Sequence, residues 1–266
     1  MRKLFVYILT ALTLASCEVI PVEDRFIPVE TRTSVRRHVL LEFTGFRCVN
    51  CPTAAELAQT LEETYEGQLY TVSLHPASNP FTQGLYDYTC PAADSIYQWM
   101  NGTATTPFPA GNINIQRFEG DYFVNMNTWA TMVYDAMQDT VAPYIRCTSA
   151  IADTAQKQAK VLIEYVPSLE ANVACWLVED SVLGVQAMPD GTVNTNYYHR
   201  HVLRAAGNNN PFGKQISGNS AEMQIPVSIP EGCNPRHCSV IALLLDKNDF
   251  HILNAHETTL DIRTNY

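Results

Sequence analysis

The sequence predicts a mixed α/β region followed by an all-β, sandwich-like region. Three observations carry this prediction. Between residues 37 and about 140, runs of strand and helix character alternate in the order strand–helix–strand–helix–strand–helix, the signature of an α/β unit. After about residue 143 the apolar runs are short and strand-like, separated by turn residues, with no helical period among them. The composition is globular, 46% apolar and 17% charged over 266 residues, enough for one large domain or two ordinary ones. The expected organisation is a signal peptide over 1–16, a tether over 17–36, an α/β domain over 37–142 and a β-sandwich domain over 143–266.

Taken in order, "MRKLFVYILTALTLASC" opens with Arg2 and Lys3, then an apolar stretch, then small residues, which is the form of an export signal. Leu14-Ala15-Ser16-Cys17 resembles a lipobox, in which the cysteine is lipidated and becomes the mature N-terminus. Glu18, and not Asp, follows it, which that resemblance makes compatible with the outer membrane. The expected location is therefore the outer membrane, anchored through lipid on Cys17, facing either the periplasm or the outside. Residues 18–36 carry two prolines and scattered charges without periodicity and read as a tether.

"HVLLEFT" reads as a strand. In "PTAAELAQTLEETY", Ala54, Leu57, Ala58, Leu61 and Tyr65 fall at helical spacing, and Gly67 supplies a stop. "QLYTVSLH" is a second strand. "CPAADSIYQWM" is a helix with Pro91 in its first turn. "TTPFPAGNINI" is a proline-rich turn entering a third strand, and "YFVNMNTWATMVYDAMQDT" is a further amphipathic helix. Beyond 143, "VLIEYVP", "ANVACWLVED", "AEMQIPVSIP", "SVIALLLD" and "FHILNAHETTL" are strands, with "MPDGT", "NNNPFGK" and "PEGCNPRH" as turns. The formal net charge of −10 argues against nucleic acid as a partner, since phosphate binding needs a basic face.

The chemistry concentrates in "LLEFTGFRCVNCPTAAEL". Cys48 lies just before the expected helix and Cys51 at its start. Unpaired N–H groups and the positive end of the helix dipole at that place favour a thiolate. This spacing makes Cys48 the expected exposed, attacking thiol and Cys51 the buried, resolving one. Arg47 is adjacent and cationic and favours the same thiolate. Proton removal from Cys51 needs a base nearby. His75, at the end of "VSLH", is a candidate to tune the site.

Export places the cysteines in an oxidising compartment. Eight are present; with Cys17 set aside, seven remain, so at least one has no intramolecular partner or belongs to a redox cycle. Cys233 and Cys238 flank a turn-forming Asn234-Pro235 and are expected to close a local structural disulfide, with His237 incidental. Cys90 opens a helix, where its pKa can fall. Cys147 and Cys175 lie on expected strands, either paired or buried free. A zinc ribbon needs a second CxxC-like pair and finds none close by. His199 and His201 share one face of an expected strand but lack a third ligand. No metal and no cofactor is called for, and no phosphate loop, Ser–His–Asp set or carboxylate pair stands out.

Strand, turn, CxxC and helix together resemble the active-site region of thioredoxins. Thioredoxins carry an acid in the strand six positions before the first cysteine; Glu42 holds that place here and is by this resemblance the base for Cys51. Phe43 matches the aromatic residue after that acid. The usual Trp before the motif is Arg47, and the usual Gly-Pro inside it is Val49-Asn50. The family also places a cis-proline loop opposite the CxxC, and Pro109 is the first choice for it, with Pro107 second. The whole chain resembles a Bacteroidetes outer-membrane lipoprotein family named for a 28-kDa outer membrane protein. The residues that carry the likeness are the lipobox, "EFTG" leading to CxxCP, the His closing the next strand, and "PAGNIN". "DSI", "DTV", "DTA" and "DSV" resemble the O-glycosylation triplets of exported proteins from such bacteria. Two functions follow. One is thiol–disulfide exchange with protein thiols or disulfides of the envelope. The other is a non-enzymatic surface lipoprotein, an adhesin or partner-binding protein, with a static disulfide.

Overall fold

The computed structural model describes residues 33–263. The expected signal peptide, Cys17 and most of the expected tether lie outside the described residues. Strand β1 (Thr33–Val35) pairs antiparallel with β6 (Val141–Pro143). Strand β2 (His38–Phe43) is buried at all six positions, because both of its faces are covered. Helix α1 (Cys51–Thr64) follows, and then β3 (Leu69–Leu74), parallel to β2. Helix α1 buries Cys51, Pro52, Ala54, Ala58 and Leu61 along one stripe, as the apolar spacing requires. Leu40 of β2 packs on Ala54, Ala58 and Leu61, together with Trp129, Met132 and Val133 of helix α3 (Trp129–Ala136). On the other face of β2, Val39, Leu41 and Phe43 join a cluster with Ala92, Ala93, Ile96 and Tyr97 of helix α2 (Pro91–Trp99).

Strand β4 (Ala110–Ile113) lies antiparallel on the other side of β2, and the short β5 (Val124–Asn125) pairs with it. The Trp129 indole crosses β4 and donates to the Val124 carbonyl at 3.0 Å. It passes so close over Gly111 that a Cβ there would stand 2.2 Å from its nitrogen. Gly111 is therefore needed for its lack of side chain. Gly111→Val is expected to destabilise the fold by about 2–3 kcal/mol through overpacking against a fully buried ring, read as a lowered urea midpoint at unchanged slope.

The second half is β-rich, as expected. Strands β9 (Ala171–Glu179), β12 (Val202–Ala206), β15 (Cys238–Asp246) and β16 (Ile252–Thr259) do not form a separate sheet. They continue the first one, in the order β16–β15–β9–β12–β3–β2–β4–β5, with β13 (Lys214–Gln215) also on β9. The seam is parallel pairing of β12 with β3, reinforced where Ser73 N–H donates to the His201 carbonyl at 2.8 Å. The sheet thus runs through the boundary expected at 142/143, and the described residues belong to one compact unit.

The physical reason lies in β9 and β15. Every residue of β9 is buried. Its Ala174, Trp176 and Val178 enter the cluster around α2. Its Val173, Cys175 and Leu177 enter a second cluster, against β7 (Ile145–Asp153), β8 (Gln158–Tyr165) and β14 (Glu222–Ser228). These three, with β17 (Asp261–Arg263), make a four-stranded sheet in the order β14–β8–β7–β17. A strand covered on both faces reads as a continuous apolar run, not an alternating one. Among the described residues no helix is long and apolar enough to cross a membrane.

Candidate functional site

Cys48 and Cys51 form a disulfide, with Cα atoms 5.4 Å apart. The turn that carries them is built from backbone: Cys48 N–H donates to Gly45 O at 3.0 Å and Cys51 N–H to Cys48 O at 3.3 Å. Asn50 precedes α1 without a side-chain cap, and Pro52 sits in its first turn. The helix start beside the sulfurs is thus closed by backbone alone: the Cys51 N–H is bonded and Pro52 brings none. The expected exposure of Cys48 is not found: Cys48 and Cys51 are each 2% exposed. Both belong to the apolar cluster around α2, and a hairpin, β10 (Val182–Ala187) paired with β11 (Val193–His199), lies against the backbone of their turn. From it, Gln186 Nε2 donates to Cys48 O at 2.9 Å, and Ala187 N–H donates to Phe46 O at 2.8 Å.

Glu42 lies in β2, opposite Ser73 on one side and Gly111 on the other. Its side chain is buried, and it accepts a hydrogen bond from Ser73 Oγ at 3.1 Å. Its second oxygen has no partner among the described residues. Burial pushes the carboxyl up to about 7, against the opposing pulls of the Ser73 hydrogen bond and the His201 charge. Glu42 and Cys51 line one cavity of about 270 Å³, with Ser73, His75, Tyr197 and His199.

His75 follows β3, fully buried, with neither ring nitrogen hydrogen-bonded among the described residues. Burial, then the neighbouring His199 and Arg204, hold it well below the usual range for histidine, so it is neutral. Burial likewise pulls His199 down to about 4, against its bond to the Val185 carbonyl. Tyr197 is pushed up to about 12 by burial first, then by the charges of Glu42 and Glu56. This lining holds the imidazoles of His75 and His199 neutral, while His201, lowered by burial, is raised on balance by its bond to Glu62; it leaves Glu42 as a carboxyl that titrates near neutrality.

The peptide bond between Phe108 and Pro109 is cis. Pro109, Pro107 and Phe108 face Asn50 of the CxxC turn and Phe123–Asn127 across a second cavity, of about 220 Å³. Arg47 is exposed, its guanidinium donating to the Gln83 carbonyl at 3.4 Å.

The remaining cysteine candidates lie outside this constellation. Cys233 and Cys238 are neighbours, their sulfurs 3.3 Å apart, held as two thiols and not as the expected disulfide. His237 lies in the short 3-10 turn between them. Cys90 caps α2 by accepting from Ala93 N–H at 3.4 Å. Burial outweighs that bond and pushes its thiol up, not down. Cys147 and Cys175 are buried thiols in the cluster between the two sheets. His199 and His201 do not share a strand face. His199 points at Tyr88, with ring centroids 4.4 Å apart. His201 stands in a left-handed turn beyond β11 and pairs with Glu62 at 3.2 Å.

Sequence reasoning missed Gln186, Tyr88 and the place of His199 in the site. Gln186 and Cys48 are 138 positions apart, and no local periodicity reports such a contact. The only local signal was the "MPDGT" turn between two polar-apolar runs, which marks a hairpin without saying what it covers.

No curated protein matches the chain. Among solved structures, HBP35 of Porphyromonas gingivalis superposes at a TM-score of 0.66 and 13% identity, over 87% of this chain and 78% of its own. A protein of Agrobacterium tumefaciens superposes at 0.51 and 14% identity, over 88% of this chain and 98% of its own. At such identities the likeness concerns the fold alone. A protein family described as outer membrane protein Omp28 matches residues 96–263. That span begins inside α2, after the CxxC turn, and takes in the β10–β11 hairpin and the strands of the second half. Over these residues, which are more than half of its length, the chain belongs to the Omp28 family of outer membrane proteins.

Proposed function

We propose that this outer membrane protein is a thiol–disulfide exchange lipoprotein, anchored through Cys17, with a thioredoxin-like region around β2, α1, β3 and β4. The observation that carries the reading is a buried carboxyl titrating near 7 that shares a cavity with Cys51 of a helix-entrance disulfide. A general base or acid works best with its pKa near the operating pH. A substrate thiolate attacks Cys48 Sγ, the Cys48–Cys51 bond breaks, and a mixed disulfide forms. Cys51 leaves as thiolate and takes a proton from Glu42. A second substrate thiolate then attacks the mixed disulfide and releases the Cys48 thiol and the substrate disulfide. Two electrons pass from the substrate to the cysteine pair; the reverse sequence reduces a substrate disulfide. Pro109 and Asn50 flank the groove that receives the substrate backbone, and His75, kept neutral, adds no charge of its own to the cavity. Arg47, exposed beside the CxxC turn, is placed to meet the partner.

The test is turnover of a scrambled disulfide substrate, with the reduction potential of the pair. Cys48→Ser is expected to abolish turnover, and Cys51→Ser to accumulate a mixed disulfide with the partner, visible as a reductant-sensitive adduct. A potential far below the poise of the envelope, with no turnover, rejects the reading. The second reading, a partner-binding surface protein with a static disulfide, is favoured by one observation, the 2% exposure of both sulfurs.

A further inference from the structure

The burial of the disulfide calls for a physical account, since the start of a helix on a turn is ordinarily open to solvent. The hairpin against its turn differs from every strand around it. The chain leaves the nine-stranded sheet after β9, runs out along β10, returns along β11 and re-enters the sheet at β12. Strands β10 and β11 pair with each other alone. Leu183 and Tyr198, paired across the hairpin, are 57% and 58% exposed, so one side of it is bare to solvent. Two-stranded ribbons of this kind have little stability of their own, and segments with few buried contacts open locally at low cost.

What holds the hairpin down is a short set of contacts. Ala187 N–H reaches Phe46 O at 2.8 Å. Gln186 Nε2 reaches Cys48 O at 2.9 Å. Val185 N–H donates to Tyr88 Oη at 3.1 Å, and the His199 ring packs on Tyr88 at 4.4 Å and His75 at 5.7 Å between centroids. Gly184 lies against Tyr88 so tightly that a Cβ there would come within 1.8 Å of the phenol oxygen.

We propose that the β10–β11 hairpin is a cap over the Cys48–Cys51 centre, latched by Gln186 on the Cys48 carbonyl, and that it lifts to admit a protein thiol. The inference rests on the exchange reading above for its purpose and on geometry alone for its existence. Closed, the cap keeps the disulfide from bulk thiols and keeps the cavity beside Glu42 and Cys51 lined by Tyr197 and His199. Lifted, it uncovers Cys48 and opens that cavity to water in one movement, so substrate access and proton release are gated together. A partner that grips the bare Leu183–Tyr198 side gains the energy to hold it open.

The test uses the full mature chain and a small dithiol, dithiothreitol, which needs no natural partner. One thiolate attacks the protein disulfide, the protein bond breaks, and ring closure of the reagent releases both protein thiols. The rate is read by alkylation and mass mapping of Cys48. Gln186→Ala removes the latch, and Gly184→Ala wedges the hairpin from Tyr88. Each is expected to speed reduction about fivefold or more, as loss of one net hydrogen bond from the closed state implies. Hydrogen exchange at Val185 and Ala187 is expected to quicken in parallel, with α1 protection unchanged. Should Gly184→Ala not fold, Tyr88→Phe removes only the acceptor for Val185 N–H and gives the same readout. Faster exchange in the hairpin with an unchanged reduction rate overturns the cap. Faster reduction with no turnover of protein substrates by any form leaves the cap standing and rejects the exchange reading instead.

Discussion

Glu42→Gln is expected to stabilise the folded chain by about 2 kcal/mol near pH 8 and to change little near pH 5. In the folded chain the carboxyl is pushed up to about 7 by burial, whereas in the unfolded chain it titrates in the ordinary range near 4.5. The folded state therefore holds this proton more tightly. Its contribution to stability is fully present below about pH 4.5 and is lost as pH rises through about 7. The full difference between the two limits is about 3 kcal/mol, from about 1.4 kcal/mol per pKa unit. Ser73 offsets part of the cost by its hydrogen bond, and His201 by its charge, while one carboxylate oxygen has no partner among the described residues. Glutamine keeps the shape and the Ser73 bond but never ionises; its buried amide gives back about 1 kcal/mol for a hydrogen bond not made. Urea unfolding of both proteins near pH 5 and near pH 8 measures the difference. An equal gap at the two pH values defeats the prediction. The same variant is expected to slow exchange, because the proton for Cys51 has lost its carrier. A buried carboxyl that costs stability where it is ionised, in one cavity with a redox cysteine, is the pattern of a functional carboxyl.

Trp176→Ala is expected to cost about 3–5 kcal/mol and to leave one unfolding transition, not two. Trp176 is fully buried in β9 and donates its indole N–H to the Pro211 carbonyl at 2.9 Å. It belongs to the cluster that also holds Val39, Phe43 and Val72 of the first half and Ile241 and Leu243 of the second. Deleting it leaves a cavity bounded by both halves, with the Pro211 carbonyl losing its donor. Because β3 and β12 are neighbours in one sheet, the loss propagates to both halves together. Unfolding followed by backbone circular dichroism and by near-ultraviolet side-chain signals measures this. Separate midpoints for the two signals contradict a single cooperative unit.

The legible part of the site was local. Glu42, Cys48 and Cys51 fall within ten residues of one another on a strand, a turn and a helix start, and each of those is announced by its own periodicity or turn residues. Pro109 was legible as a proline directly before a strand. Gln186, Tyr88 and His199 were not, because what they do depends on a hairpin folding back over a turn far away in the chain. The exposure of Cys48 was misjudged for the same reason: a helix start predicts open amides, and only the tertiary structure says what lies over them. The thiol of Cys90 was a parallel case, since its cap position favours the thiolate while its burial opposes it more strongly.

The amino-acid sequence by itself determined the kinds of element and their order. The 3.6-residue stripe of α1, the alternation of β7 and the unbroken apolar runs of β9 and β15 are properties of neighbouring residues. The tertiary structure alone decided that those last two strands join the first half's sheet, and that β10–β11 lies against the turn of the disulfide. A strand apolar on both faces declares that two layers must cover it, without naming them. Which layers do so is settled by pairings across more than a hundred residues, where the deciding quantity is the fit of whole surfaces and not any local preference.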